Sequence, residues 1–276
     1  MQMPSSRLRH AIIDNNLAIV ERLIRRFPEL LVNADITNGW TSLHYAAYHG
    51  HFEICVYLTS LGHDLAEISF DIQGYTPLHL AAMRNHEQTI HFLAQKFLQT
   101  LDFTTNAKKT PGYTPLILAT KEGHDASVNL LLDFGAEIDK ADVFGNRPIH
   151  YASEYGHQKV MKSLVERGTN YKTKNKLGWS PIEYSFSIQT RSYLSAITLE
   201  IERRKEAELK KRLLDQKLML EKPTTSLGKE SSSASTSGGA TTTTTTKIKT
   251  TPGSTPAATP AATPDLSKSP VKQSPV

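Results

Sequence analysis

One phrase recurs five times along this chain and constrains its architecture more than any other feature. Gly39-Trp-Thr-Ser-Leu-His-Tyr-Ala-Ala47 is followed by Gly74-Tyr-Thr-Pro-Leu-His-Leu-Ala-Ala82 and Gly112-Tyr-Thr-Pro-Leu-Ile-Leu-Ala-Thr120. Gly145-Asn-Arg-Pro-Ile-His-Tyr-Ala-Ser153 and Gly178-Trp-Ser-Pro-Ile-Glu-Tyr-Ser-Phe186 complete the set. Successive glycines lie 35, 38, 33 and 33 residues apart. A period of this length means that each phrase opens one supersecondary unit. Such a unit cannot bury its apolar face alone, so neighbours must stack.

Each letter of the phrase has a local physical role. Glycine permits the positive φ of a tight turn. Thr76 or Thr114 caps the helix that follows, and Pro77, Pro115, Pro148 and Pro181 fit its first position, where no N–H is needed. The paired alanines let neighbouring helices approach closely. Gly50, Gly123 and Gly156, with Asn85 in the second repeat, end the first helix in the left-handed conformation. A second helix follows with one apolar face, made by Ile54, Leu58 and Leu61, by Val128, Leu131 and Leu132, or by Val160, Leu164 and Val165. Gly62, Gly135 and Gly168 close it before the next finger. The period and the Thr-Pro-Leu-His-x-Ala core resemble the ankyrin repeat. That resemblance implies an all-α ankyrin-repeat solenoid of helix pairs with β-hairpin fingers, to which the C-terminal residues add a helical extension and a disordered tail.

The ends depart from the repeat. Residues 5–35 read as a capping repeat, with Ala11, Ile12 and Ile13 on one helix and Ile19, Val20, Leu23 and Ile24 on the next. Terminal repeats must differ because one side faces water. Residues 36–200 hold about five repeats, the last a degenerate cap in which Leu194, Ile197 and Ile201 share a helical face. Residues 201–222 form a charged helical extension with Glu200/Arg204, Glu206/Lys210 and Glu208/Arg212 in the favourable i,i+4 order. Leu209, Leu213, Leu214, Leu218 and Leu220 either lie on a solvated helix or meet a partner helix; they hold no heptad for three or four turns. Residues 223–276 are dominated by Ser, Thr, Pro, Gly and Ala, a composition that cannot bury enough apolar surface to offset chain entropy. There Thr251, Thr255, Thr259, Thr263, Ser269 and Ser274 precede prolines, as in a low-complexity spacer or as candidate phosphorylation sites for proline-directed kinases.

Charge and composition narrow the function. Net charge is +5, yet Met1–Leu199 carries nineteen basic and nineteen acidic residues. The excess therefore sits in the C-terminal third and offers no basic face to follow a phosphate backbone, so no nucleic-acid partner is expected. Cys55, the single cysteine, excludes an internal disulfide and lies in an apolar run that reads as buried. The N-terminus lacks a secretory signal and no run is long enough to span a bilayer, so a cytoplasmic protein is expected, one that inserts in no membrane and reaches the plasma membrane only through partners. Seven of the eleven histidines recur at two fixed repeat positions, namely His44, His79 and His150, then His51, His86, His124 and His157. They stand a repeat apart rather than three or four residues apart, so a structural role is expected and no metal. No phosphate loop, dinucleotide glycine pattern or nucleophile elbow occurs, so neither a cofactor nor catalysis is expected.

A binding face is the better expectation. In ankyrin stacks the finger tips and the exposed ends of the first helices share one concave face. Carried over to this chain, that face holds Trp40, Tyr75, Tyr113 and Trp179 after the turn glycine. Tyr48, His49, Met83, Arg84, Lys121, Glu122, Glu154 and Tyr155 end the first helices. Trp, Tyr and Arg dominate binding energy at interfaces; the alternative is that the post-glycine aromatics only support the finger stack. About five extra residues within Phe97–Pro111 form either a plain loop or part of this face.

The N-terminal part carries a narrower signal. Arg7-Leu-Arg-x-Ala-Ile-Ile13, Arg22-Leu-x-Arg-Arg26, Tyr48-His-Gly50 and Leu61-Gly-His-Asp64 resemble the fungal Avo-type ankyrin subunits of target of rapamycin complex 2. The resemblance is dense over Arg7–Asp64, fades to repeat-level likeness by about Leu199 and is absent from the tail. It implies a non-catalytic scaffold subunit whose partners are proteins of that kinase complex, with Arg22, Arg25 and Arg26 as an electrostatic contact. A nuclear adaptor in transcription or proteasome assembly is the alternative.

Overall fold

A computed structural model describes residues 3–64, 67–105, 108 and 110–220. Among the described residues six helix pairs follow one another. α1 (Pro4–Ile13) and α2 (Leu17–Arg26) form the first, α3 (Ser42–His49) and α4 (Phe52–Ser60) the second, α5 (Pro77–Met83) and α6 (Glu87–Lys96) the third. α7 (Pro115–Lys121) with α8 (Asp125–Asp133), α9 (Pro148–Tyr155) with α10 (Gln158–Glu166), and α11 (Pro181–Tyr184) with α12 (Ile188–Leu220) complete the series. First helices pack on first helices and second on second, giving two layers.

The recurring phrase builds each pair as its chemistry requires. Proline occupies the first turn of α5, α7, α9 and α11. The turns between paired helices are left-handed at Asn15, Gly50, Asn85, Gly123 and Gly156. Ala46, Ala47, Ala81, Ala82, Ala119 and Ala152 are wholly buried, which lets the inner-layer helices lie close. One continuous apolar core runs between the layers from Leu8 through Leu43, Leu58, Ile90, Leu131 and Leu164 to Leu194. Cys55 lies inside it, and burial pushes its thiol up to about 12.

The fingers differ from the hairpins expected. Among the described residues they contain no strand; the fingers close with turn bonds, such as Asp71 N–H to Tyr75 O (2.9 Å) with Gly74 N–H to Asp71 O (3.0 Å), and Asp142 N–H to Asn146 O (2.9 Å) with Gly145 N–H to Asp142 O (3.0 Å). A side chain at the finger base replaces the ladder. Asp71 Oδ1 accepts from the N–H groups of Gln73 and Tyr75, and Asn175 Oδ1 does the same for Leu177 and Trp179. Neighbouring fingers are joined by single backbone bonds, such as Ile72 N–H to Asn38 O and Lys176 N–H to Phe144 O.

The longer spacing after the second phrase is partly packed rather than looped out. Leu98–Thr100 makes a 3-10 turn, and Phe97, Thr100, Leu101 and Thr105 are buried. At the C-terminal end, α12 runs unbroken for 33 residues, so capping segment and charged extension are one helix. Glu200–Arg204 pairs at 3.0 Å. Glu206–Lys210 and Glu208–Arg212 make no ion pair among the described residues, consistent with the small gain of exposed pairs over side-chain entropy.

Candidate partner-binding surface

Two sets of histidines hold the surface in place. His44, His79 and His150 each present Nε2 to a carbonyl of the next finger, at Tyr75 (2.9 Å), Tyr113 (3.1 Å) and Trp179 (3.3 Å). Their Nδ1 atoms accept the backbone N–H of Thr41, Thr76 and Arg147, capping the helix on which each sits. A carbonyl only accepts and an amide N–H only donates, so both bonds require the neutral Nε2–H ring. Burial pushes all three histidines down to about 4. The third repeat has Ile117 here, and the Thr114 hydroxyl caps the helix instead.

The second set reaches the other way. Nε2 of His51, His86, His124 and His157 bonds the carbonyls of Ile13, Tyr48, Met83 and Lys121 at the end of the preceding first helix. The turn glycine makes room for this: a Cβ at Gly50 would fall 2.4 Å from His86 Nδ1, and one at Gly123 would fall 2.5 Å from His157 Nδ1. All seven repeat-position histidines thus brace successive repeats.

On this frame the finger side of the inner layer carries two clusters. In the first, the Trp40 ring lies 5.0 Å from Tyr48 and the Arg84 guanidinium lies 4.9 Å above the Tyr48 ring. Trp40 Nε1 donates to Asp71 Oδ2 at 3.0 Å, which fixes the indole across two repeats. Trp40, Tyr48, Tyr75, Leu80 and Met83 line a cleft of about 430 Å³ with Asn38 and Gln73 at its rim. In the second cluster, Lys121 Nζ sits 5.1 Å from the Tyr113 ring and 5.9 Å from that of Tyr155. Tyr155 is 48% exposed, and half-buried Glu154 has its carboxyl raised by burial against the opposing pull of Lys121. Cation–π pairs of this kind hold both partners extended and leave an amphipathic face.

The expected residues divide accordingly. Trp40, Tyr48, Tyr75, Met83 and Arg84 come together in the first cluster, and Tyr113, Lys121 and Tyr155 in the second. Glu122 is exposed beside it. His49 stacks on His51 at 5.6 Å. Trp179, 47% exposed, packs on Tyr184 at 6.0 Å in the last repeat. Arg22, Arg25 and Arg26 lie apart, exposed on α2 in the outer layer, around an open depression of about 520 Å³. Arg25 meets Glu21 at 3.5 Å and Arg26 covers Phe27 at 5.5 Å. Thr251, Thr255, Thr259, Thr263, Ser269 and Ser274 lie outside the described residues.

Two tyrosines and their carboxylate partners went unread in the sequence. Tyr45 donates to Asp35 (2.9 Å), and buried Tyr151 donates to Asp142 (2.5 Å) and packs on Tyr113. Burial, then the Asp142 bond, raises the Tyr151 hydroxyl. The available signal was Tyr45, Tyr151 and Tyr184 recurring one letter after the phrase's histidine position.

Helix pairs in two layers, fingers held by neutral histidines and a bare aromatic face define an ankyrin-repeat scaffold. Residues 8–106 and 94–175 match the model for ankyrin repeats (3 copies), and the chain belongs to that family. It is 39% identical over 207 residues to the target of rapamycin complex 2 subunit AVO2 of Saccharomyces cerevisiae, covering 74% of this chain and 48% of that protein. The chain thus spans about half the length of that relative. It is also 26% identical over 183 residues to the probable 26S proteasome regulatory subunit p28 of the same yeast, covering 65% of this chain and 78% of p28. With the palmitoyltransferase AKR1 of Lachancea kluyveri it shares 29% over 174 residues, covering 63% of this chain and 23% of that enzyme. No described helix is long and apolar enough to cross a membrane.

Proposed function

We propose that this protein is a non-catalytic accessory subunit of target of rapamycin complex 2, binding its protein partners through the finger-side face and working in the cytoplasm or at the plasma membrane. The observation that carries the reading is the 39% identity to AVO2 over 74% of the chain, well above that to p28. The geometry supports a binding role. Tyr48, Arg84, Lys121 and Tyr155 stand at the ends of first helices and Trp40 in the adjoining finger, and neither Arg84 nor Lys121 is spent on an internal salt bridge among the described residues. A rigid aromatic anchor loses little entropy on binding, and such residues are the usual hot spots. Arg22, Arg25 and Arg26 on the outer layer would add a separate electrostatic contact.

Co-precipitation of the kinase-complex core with the full-length protein from its source cell tests the assignment. Wild type should bring down the core, while Tyr48→Ala with Tyr155→Ala should weaken recovery at least tenfold, as loss of hot spots of about 2 kcal/mol each would. The melting temperature should stay nearly unchanged. Recovery of proteasome base subunits in place of the kinase core would favour the p28-like alternative and sink the proposal.

A further inference from the structure

α12 carries a face that the repeats leave uncovered. The helix is tied to the stack through Glu202, which accepts from the Tyr171 hydroxyl at 2.9 Å and pairs with Lys172 Nζ at 2.6 Å. Beyond it every residue from Arg203 to Lys217 is exposed. The helix persists there because Arg, Lys, Glu, Ala, Leu and Gln, all strong helix formers, make up this stretch apart from Asp215. Its nucleation cost is already met by the packed turns around Leu194 and Ile197.

Leu209 and Leu213 are one turn apart and 59% and 56% exposed. Placing Leu213 at heptad position a puts Leu209 at d and Glu206 and Leu220 at further a positions. The flanking e and g positions are then Arg203, Lys205, Lys210, Arg212, Lys217 and Met219, while Glu208 and Asp215 fall at c on the far side. Lys210 and Arg212 enter no ion pair among the described residues. The leucine seam is therefore bordered by positive charge on both sides.

We infer that this seam docks a short acidic amphipathic helix of a partner protein, about two heptads long, with its glutamates or aspartates against Lys210 and Arg212. A second copy of α12 is the wrong occupant, because basic e and g residues would face one another in parallel and antiparallel pairing alike. A lipid surface needs a broader apolar face, and here Glu206 and Gln216 interrupt the seam. This docking site is independent of the finger-side face and of the assignment to the kinase complex.

The test uses the full-length chain and a labelled synthetic three-heptad peptide with leucine at a and d and glutamate at e and g. Its lysine counterpart and phosphatidylserine vesicles are the other probes. Fluorescence anisotropy should show binding of the glutamate peptide, weakening with added salt, and none of the lysine peptide. Lys210→Glu with Arg212→Glu should weaken the glutamate peptide at least tenfold and create binding of the lysine peptide. Leu209→Ser with Leu213→Ser should abolish both, with the thermal melt unchanged. Failure of the glutamate peptide to bind, or binding indifferent to the leucine or charge variants, overturns the inference. Sedimentation of the wild type as a dimer through α12, or its flotation with the vesicles without peptide binding, overturns it as well.

Discussion

Acid should unfold this protein through three buried histidines well before its carboxylates titrate. In the folded state His44, His79 and His150 sit at about 4 because of burial, against 6.5 for an unhindered histidine. Protonation would also set an N–H at Nδ1 against the amide N–H groups of Thr41, Thr76 and Arg147. The folded state therefore binds fewer protons than the unfolded one between pH 6.5 and 4, and stability falls as pH falls through that window. From pH 7.5 to pH 5 each histidine costs about 2 kcal/mol, and the three together about 6 kcal/mol. That is comparable to the whole stability of an ordinary domain, about 5–15 kcal/mol. His49 and His86, also lowered by burial, push the same way. Asp35, lowered first by its bond from the Thr37 N–H, loses its contribution only at still lower pH. Urea denaturation followed by circular dichroism at half-unit steps should give a slope near three protons, about 4 kcal/mol per pH unit around pH 5. His150→Ala should reduce that slope by about one proton whatever its own stability. A stability flat from pH 7.5 to pH 5, or a slope indifferent to His150→Ala, would refute the neutral-ring argument.

Two further expectations follow from the turn glycines and from the core. Gly135→Ala meets no atom within 4 Å at φ +93°, so it should cost only the left-handed backbone penalty of about 1–2 kcal/mol. Gly123→Ala at φ +78° should cost about 1 kcal/mol more, since its Cβ displaces His157 from the Lys121 carbonyl. The excess should vanish in a His157→Ala background, and equal costs in the wild-type background would dismiss the bracing role. Cys55, fully buried and with its thiol pushed up to about 12, should resist a thiol reagent at pH 8 until urea unfolds the chain. Stoichiometric labelling of the native protein within minutes would contradict its place in the core.

Most of the backbone within one repeat was legible in the residues. Glycine, threonine and proline act on their own backbone, so the start of α5, the left-handed turn at Asn85 and the wholly buried Ala81 and Ala82 were legible from a few adjacent letters. The histidine columns were legible too, as a structural periodicity, although not the carbonyl each would meet. Tertiary structure decided what depends on the offset between repeats. Trp40 and Asp71 are 31 residues apart, and only the stacking of successive fingers puts the indole N–H 3.0 Å from the carboxylate. The same offset brings Lys121 between Tyr113 and Tyr155, while packing within a repeat leaves Arg22, Arg25 and Arg26 exposed on α2 and sends Tyr151 inward to Asp142, with Tyr155, one turn on, 48% exposed. In the fingers the turn glycines were readable one by one, and Asp71 and Asn175 accepting amide bonds from two and four residues on is itself a local preference of Asp and Asn that went unread. A repeat phrase specifies its own fold through short-range sterics and hydrogen bonds. The surface between repeats is set by the small rotation from one unit to the next, which arises only when the core packs.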